Sequence, residues 1–201
     1  MNKSQVLIKR LCAYLHYLRQ LPPEVTTVSA TAIAYELGYG DVQVRKDLAA
    51  VAGGGGRPKT GYPVRMLTSQ LVRYLGFDRK TEAVIVGAGR LGMALYEYGG
   101  FSEYGIEIVA AFDKDPGKCD ASKGVYPYGC LADFCGKENI EIGIITVPAE
   151  QAQPVCDLLT GCGVRSIWNF SAAYLRHSES VTVFNENMAA SLAALLINKS
   201  E

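Results

Sequence analysis

Residues 82–92 read Glu-Ala-Val-Ile-Val-Gly-Ala-Gly-Arg-Leu-Gly, an apolar β-branched run that opens directly into GxGxxG. Few short segments restrict a fold as tightly. Gly87, Gly89 and Gly92 hold the three glycine positions, with Ala88, Arg90 and Leu91 between them. The first glycine permits a tight turn and the second lets backbone N–H groups approach a pyrophosphate. The third lets helix and strand pack closely. A helical stretch follows, then a second strand, Glu107 to Phe112, which ends on Asp113. An acid about 20 residues beyond the last glycine accepts both hydroxyls of a ribose and repels a 2′-phosphate. Lys114, next in sequence, pulls the other way, since a cation can accept that phosphate.

The motif starts only after residue 80, so something else occupies the front of the chain. The formal net charge is zero, but residues 1–80 carry twelve Lys/Arg against five Asp/Glu, and residues 81–201 carry eight against fifteen. A front half at +7 beside a back half at −7 suggests a polyanion partner for the front. Residues 4–21 read as a helix, with Leu7, Leu11, Leu15 and Leu18 at three- and four-residue spacing, stopped by Pro22-Pro23. Ser29 is an N-cap for a second, short helix ending at Gly38, and Asp41 caps a third running to about Val51. Two short helices joined through Tyr39-Gly40 describe a helix-turn-helix. At about 100° per residue, Val44, Leu48 and Val51 share one face of the third helix. Lys46 falls near the opposite face, with Gln43 and Arg45 flanking it. These are side chains that reach base edges and phosphates. Gly53 to Tyr62 then reads as a glycine-rich wing. It presents Arg57 and Lys59 to a minor groove, with Gly61 and Tyr62 at its base. Residues 64–75 form a further amphipathic helix.

In the back half, Val125-Tyr126-Pro127 reads as a short strand, Leu131 to Lys137 as a helix and Ile140 to Pro148 as a buried strand. A helix through about Leu159 and a strand from Val164 to Phe170 follow. Strands alternating with helices imply a parallel sheet. Ligands in such sheets sit beyond the carboxyl ends of the strands, which gathers Gly87–Gly92, Asp113, Lys114 and Thr146-Val147-Pro148 around one crevice. The last helix, from Asn187, carries Met188, Leu192, Leu195 and Leu196 on one stripe with little charge, so it is expected to pack on its own domain or on a partner subunit. Six cysteines without a CxxC pair and only two histidines argue against zinc, against any other metal site and against a disulfide framework. No stretch approaches the ~20 apolar residues of a membrane span, and no apolar signal region opens the chain, so a cytoplasmic protein is expected. His16 lies in the front helix and His177 lacks an obvious acidic partner. The chain is therefore not expected to be an enzyme.

These motifs resemble the Rex family of redox-sensing transcriptional repressors over nearly the whole chain. The most specific matches are Gln43-Val44-Arg45-Lys46-Asp47-Leu48, Gly87–Gly92, Ala110-Ala111-Phe112-Asp113 with Asp115-Pro116, Thr146-Val147-Pro148-Ala149-Glu150 and Asn169-Phe170. The resemblance implies an α/β chain in three parts. A winged helix-turn-helix DNA-binding domain spans residues 1–80. A Rossmann-type doubly wound parallel sheet that binds NAD(H) spans 81–184, and a domain-swapped dimerisation helix spans 185–201. It further implies a homodimer on palindromic operator DNA, bound at low NADH and released as NADH rises. In the family a Tyr, an Arg in the first helix and an Asp before the last helix form the switch. Tyr98 matches the Tyr, but His16 and Asn187 stand at the other two positions, where an Arg–Asp pair cannot form. Arg90 replaces the usual Asn of the glycine loop, and the wing lacks the family's usual aromatic residue. Two other readings stay open: a paralogue with a weak or absent NADH response, and a small nucleotide-dependent oxidoreductase with a basic accessory domain.

Overall fold

The computed structural model describes residues 3–52 and 61–197. They fall into two compact units, Met1–Arg79 and Lys80–Glu201. The first is built from helices α1 (Lys3–Gln20), α2 (Ala30–Leu37), α3 (Asp41–Ala52) and α4 (Val64–Leu75), with two-residue strands β1 (Thr27–Val28) and β2 (Tyr62–Pro63). Leu11, Tyr14, Leu15 and Leu18 of α1 form one buried cluster with Ile33 of α2, Val44 and Leu48 of α3, and Leu67 and Leu71 of α4. Ile8, beside the α1 stripe in sequence, is exposed.

Local chemistry sets the helix ends. Ser29 Oγ accepts from the Ala32 N–H at 3.0 Å, so α2 begins on a side-chain cap. Gly38 ends it in the left-handed region at φ +67°, where glycine carries no Cβ penalty. Asp41 differs from the expected cap. It is the first residue of α3, and its carboxylate accepts from Arg45 Nε at 2.8 Å and Thr31 Oγ1 at 2.8 Å. Strands β1 and β2 pair antiparallel, Val28 opposite Tyr62. The pairing needs glycine at 61, because a Cβ there would lie 2.5 Å from the Val28 carbonyl oxygen and φ is +74°. The expected wing residues 53–60, including Arg57 and Lys59, lie outside the described residues.

Within this unit one polar group is buried where the sequence pattern gave no sign of it. Asp47 sits on α3 at 4% exposure. Arg10 of α1 grips it through Nε at 2.7 Å and Nη2 at 3.0 Å, while the Tyr14 hydroxyl and the Gln43 amide donate at 2.9 and 2.8 Å. Burial alone would raise this carboxyl. The guanidinium, the amide and the phenol outweigh it and hold the group below its ordinary value.

The second unit is a six-stranded parallel sheet in the order β5-β4-β3-β6-β7-β8. The strands are β3 (Thr81–Val86), β4 (Ile106–Asp113), β5 (Val125–Pro127), β6 (Ile140–Ile145), β7 (Ser166–Asn169) and β8 (Thr182–Asn185). Helix α5 (Arg90–Tyr96) follows β3, α6 (Leu131–Lys137) and α7 (Ala149–Gly161) flank β6, and α8 (Met188–Ile197) ends the described chain. In order along the chain these strands give the 3-2-1-4-5-6 sequence of a dinucleotide-binding sheet. Alternation along β3 separates two cores. Val84 and Val86 face the α6–α7 side with Leu131, Val155 and Leu159, while Ala83 and Ile85 face the side that holds Met93 and Tyr96 of α5. Strand β6 stops at Ile145, because Thr146 onward turns to serve the loop. Strand β8 was not expected. It follows a twelve-residue connection without a helix, so no crossover pattern announces it.

Removing the guanidinium by Arg10→Ala strands a buried carboxylate and is expected to cost the first unit about 3–5 kcal/mol. Asp47→Ala should cost less, since Arg10 is 18% exposed and can turn to water. The Asp47 carboxyl has a lowered value in the fold, so its contribution is present above the unfolded value near ~3.9 and is lost as pH falls through the folded value. Urea titration followed by circular dichroism at pH 7 and at acid pH checks both points. Losses within about 1 kcal/mol, as for a solvated surface pair, would contradict them.

Candidate functional site

The candidate nucleotide site forms where the sheet order reverses, between β3 and β6. Chains leaving neighbouring strands there diverge to opposite faces and open a crevice at the carboxyl ends. Gly87 ends β3 at φ +109°, and its N–H donates to the Phe112 carbonyl of β4 at 2.7 Å. A Cβ on Gly87 would stand 2.8 Å from the Thr146 carbonyl carbon. Thr146 closes the crossing from the other side. Its hydroxyl donates to the Gly87 carbonyl at 2.7 Å and reaches that of Val86 at 3.2 Å, while its N–H donates to Val86 at 2.9 Å. Gly92 packs beneath. A Cβ there would collide with the Gly87 carbonyl oxygen. Gly89 is different, since a Cβ there would meet nothing within 4 Å. It is the N-cap of α5 and offers no side chain to the first-turn N–H groups.

Beside this loop lies a cleft of about 440 Å³. Of the expected cofactor residues, Gly87, Gly89, Asp113, Lys114, Thr146, Val147 and Pro148 line it. Ala88 and Gly92 are buried behind the loop, Leu91 is half-buried and Arg90 is exposed at the start of α5. Asp113 is 9% exposed at the end of β4. Its Oδ1 accepts from the Asp115 N–H at 2.8 Å, and its Oδ2 accepts from Lys118 Nζ at 3.1 Å. Burial would raise this carboxyl, but the Asp115 N–H, Lys118 and the Ala88 N–H hold it below its ordinary value, so it is ionised at neutral pH. Lys114 lies over Tyr128, another lining residue, with Nζ 5.2 Å from the centre of its ring.

Sequence reasoning missed Asp115, Lys118, Tyr128 and Gln151, which also line the cleft. The spacing Asp-x-Asp-Pro-Gly-Lys held a signal. A capped turn over Pro116–Lys118, with Asp115 accepting from the Gly117 N–H at 2.9 Å, returns Lys118 to Asp113.

The expected DNA-facing residues lie in the first unit. Val42, Gln43, Arg45, Lys46 and Ala49 of α3 are exposed. Gln43 spends one amide donor on Asp47, and Arg45 pairs with Asp41 and donates to Thr31 Oγ1 at 3.2 Å. Lys46 makes no ion pair among the described residues. Tyr62 is half-buried in β2.

The expected switch residues have local partners of their own. His16 Nε2 lies 2.8 Å from the Gln20 amide. Tyr98 is 61% exposed and stacks edge-on against Phe101 at 5.1 Å, which in turn meets Trp168 at 5.9 Å. Asn187 Oδ1 accepts from the Ala190 N–H at 2.9 Å and caps α8.

The family model for the "CoA binding domain" matches residues 78–173, and that for "Putative DNA-binding protein N-terminus" matches residues 4–49. The redox-sensing transcriptional repressor Rex of Treponema denticola is 36% identical over 192 residues, 94% of this chain and 91% of that protein. This chain belongs to the Rex family of redox-sensing transcriptional repressors. Solved structures of the Rex-family repressor RSP superpose closely. RSP in complex with β-NAD⁺ and operator DNA matches with a TM-score of 0.89 at 30% identity, covering 98% of this chain and 93% of that one. RSP in complex with β-NADH matches with a TM-score of 0.85 at 29% identity, with the same coverage. The Rex family is one of regulators, so the crevice belongs to a sensor and not to a catalyst.

The two glycines just described separate structure from ligand access. Gly92→Ala forces a methyl into backbone and is expected to lower the stability of the second unit by about 1–3 kcal/mol or more. Gly89→Ala should leave the melting temperature within a degree or two of the parent, at ~0.5 kcal/mol. Thermal unfolding of the two variants side by side tests the assignment, and equal losses would contradict it.

Proposed function

We propose that this chain is a homodimeric repressor that reads the NADH/NAD⁺ ratio through the crevice at Gly87–Gly92 and binds palindromic operator DNA through its first unit. The observation that carries this reading is Asp113. It is an ionised, nearly buried carboxylate at the end of β4, beside a glycine loop whose middle glycine faces open space. A carboxylate has about four lone-pair sites. Three are engaged by the Asp115 N–H, the Ala88 N–H and Lys118, which leaves one to accept from a hydroxyl of an adenosine ribose. Gly89 and the uncapped first turn of α5 supply N–H groups for the pyrophosphate. The ligand named for the RSP structures, NAD⁺ or NADH, fits this donor and acceptor set. The nucleotide acts as an effector and supplies no chemistry here.

For DNA, α3 is the reading helix, with Lys46 and Arg45 on its exposed face. Arg57 and Lys59 are assigned to a wing that reaches minor groove or phosphate, with Gly61 and Tyr62 anchoring it. One such module covers a half-site, so two copies match a palindrome. Helix α8 supports the dimer. Met188, Leu192, Leu195 and Leu196 are 56–70% exposed within one chain, a cost that exchange with a second copy relieves. Residues 1–80, 81–184 and 185–201 then divide the work into DNA binding, nucleotide binding and dimerisation, in the cytoplasm beside the chromosome.

His16 and Asn187 favour a second reading, a repressor with a weakened NADH response. Asn187 lacks the charge of the family's acid and already spends its side chain on α8.

Lys46→Ala is expected to weaken operator binding at all sequences and to reduce the salt slope by about 1 if it meets phosphate, or to cost about 1–3 kcal/mol at one base pair if it reads an edge. Truncation after Glu186 should abolish both the dimer and the NADH response. Mobility shift with NAD⁺ and with NADH, together with analytical ultracentrifugation, checks these outcomes. A truncated protein that stays dimeric and still releases DNA with NADH refutes the mechanism. An intact protein that binds the operator equally with either nucleotide selects the second reading.

A further inference from the structure

We infer that Lys118 is the residue that sets how strongly this chain prefers NAD(H) over NADP(H), by partly neutralising Asp113 at the site of the ribose 2′ group. The inference rests on the nucleotide reading above. In many sheets of this order an acid at the end of the second strand rejects a 2′-phosphate by charge alone. Here that acid is not alone. Lys118 Nζ stands 3.1 Å from Asp113 Oδ2 and both side chains line the cleft.

The loop between them is built to keep the pair together. Asp115 accepts from the Gly117 N–H at 2.9 Å, and the Lys118 N–H donates to the Asp115 carbonyl at 3.1 Å. The Cys119 thiol donates to that same carbonyl at 3.4 Å. The turn therefore returns the ammonium to the carboxylate without help from the ligand. Lys118 is 44% exposed, so it faces both Asp113 and the open cleft. Lys114 also lines the cleft, but its Nζ lies over the Tyr128 ring, 5.2 Å from the centre, and it is Lys118 that pairs with Asp113.

The charge balance follows. A 2′-phosphate brings about 1.5–2 negative charges. Against a lone carboxylate it is strongly repelled. Against a carboxylate with a cation at contact distance, repulsion and attraction largely cancel, and the cation can shift to the phosphate. Two ribose hydroxyls, being neutral, are far less sensitive to the cation. Lys118 thus weakens the discrimination that Asp113 provides, and the chain tolerates the phosphorylated dinucleotides better than its acid alone would permit.

The test is direct titration of the full-length protein with NADH and NADPH, comparing the ratio of their dissociation constants in parent, Lys118→Met, Lys118→Gln, Lys118→Arg and Asp113→Asn proteins. Both neutral replacements should raise the NADPH/NADH ratio by about tenfold. Arginine should hold it near the parent value, and Asp113→Asn should lower it. The rise should shrink between low and high salt, because Lys118 is partly exposed. A purely structural role for Lys118 would weaken both nucleotides together and leave the ratio and its salt dependence unmoved. Parent protein that binds NADH, with the ratio unchanged or lowered in both neutral variants, overturns this inference alone. Parent protein that binds neither nucleotide overturns the nucleotide reading with it.

Discussion

The second unit depends on a place where two backbones pass too closely for any Cβ. Gly87, Gly92 and Thr146 meet there, with the Thr146 hydroxyl donating to the Gly87 carbonyl at 2.7 Å and no room for a methyl on either glycine. Everything at the crevice is referenced to that crossing. Because Gly87 N–H also bonds the Phe112 carbonyl, the end of β4 is fixed against the end of β3, and Asp113 is carried to the mouth of the glycine loop. Packing alone would not give this precision, since burial of apolar surface is non-directional. The hydrogen bonds across the crossing supply direction, and the missing side chains supply distance.

The first unit solves a similar problem with charge. Leu11, Leu15, Val44 and Leu48 bring α1 and α3 into one apolar cluster with α2 and α4, but such burial is non-directional. The Arg10–Asp47 pair, closed by Tyr14 and Gln43, admits few rotations. Such a pair gains little net stability over well-packed apolar residues, because desolvation offsets attraction. What it secures is orientation, and with it which side chains of α3 face outward. Gln43 shows the consequence: an exposed side chain of α3 donates, one turn along its own helix, to the carboxylate that Arg10 and Tyr14 of α1 hold.

Much of this was legible in the sequence because the signals are local. Strand, glycine loop and helix at 82–96 form one continuous motif. Ser29 and Gly38 bracket α2 by capping chemistry, and the unbroken apolar run of β3 announces burial on both faces. What stayed hidden involves residues far apart or without a period. Arg10 and Asp47 are 37 positions apart, and nothing in either helix's apolar stripe points to the other. Strand β8 has four residues and no crossover helix before it. Asp41 has the look of a cap, yet a nearby arginine and threonine claim its carboxylate first. Lys118 is close to Asp113 in sequence, but only the turn geometry reveals that it folds back.

On the proposed reading, the residues that the family resemblance sets at switch positions narrow how a signal travels in this chain. An Asn caps a helix as well as an Asp does, so Asn187 preserves the start of α8 while removing the charge a partner arginine would need. His16, which the family resemblance sets at the arginine position, is engaged with Gln20 one helical turn away. On the proposed reading, a contact between charges cannot then distinguish the two nucleotide states. Any coupling has to be carried by differential packing of α8, whose apolar side chains are mostly exposed in a single copy. Tyr98 is placed to contribute, since its ring is the outer member of an aromatic series through Phe101 and Trp168 to Phe170 at the end of β7. Allosteric coupling is limited to the difference in ligand affinity between two states. A linkage made of packing alone, without the ion pair, is expected to hold fewer kcal/mol of that difference, and so to give this member of the family a shallower response to NADH.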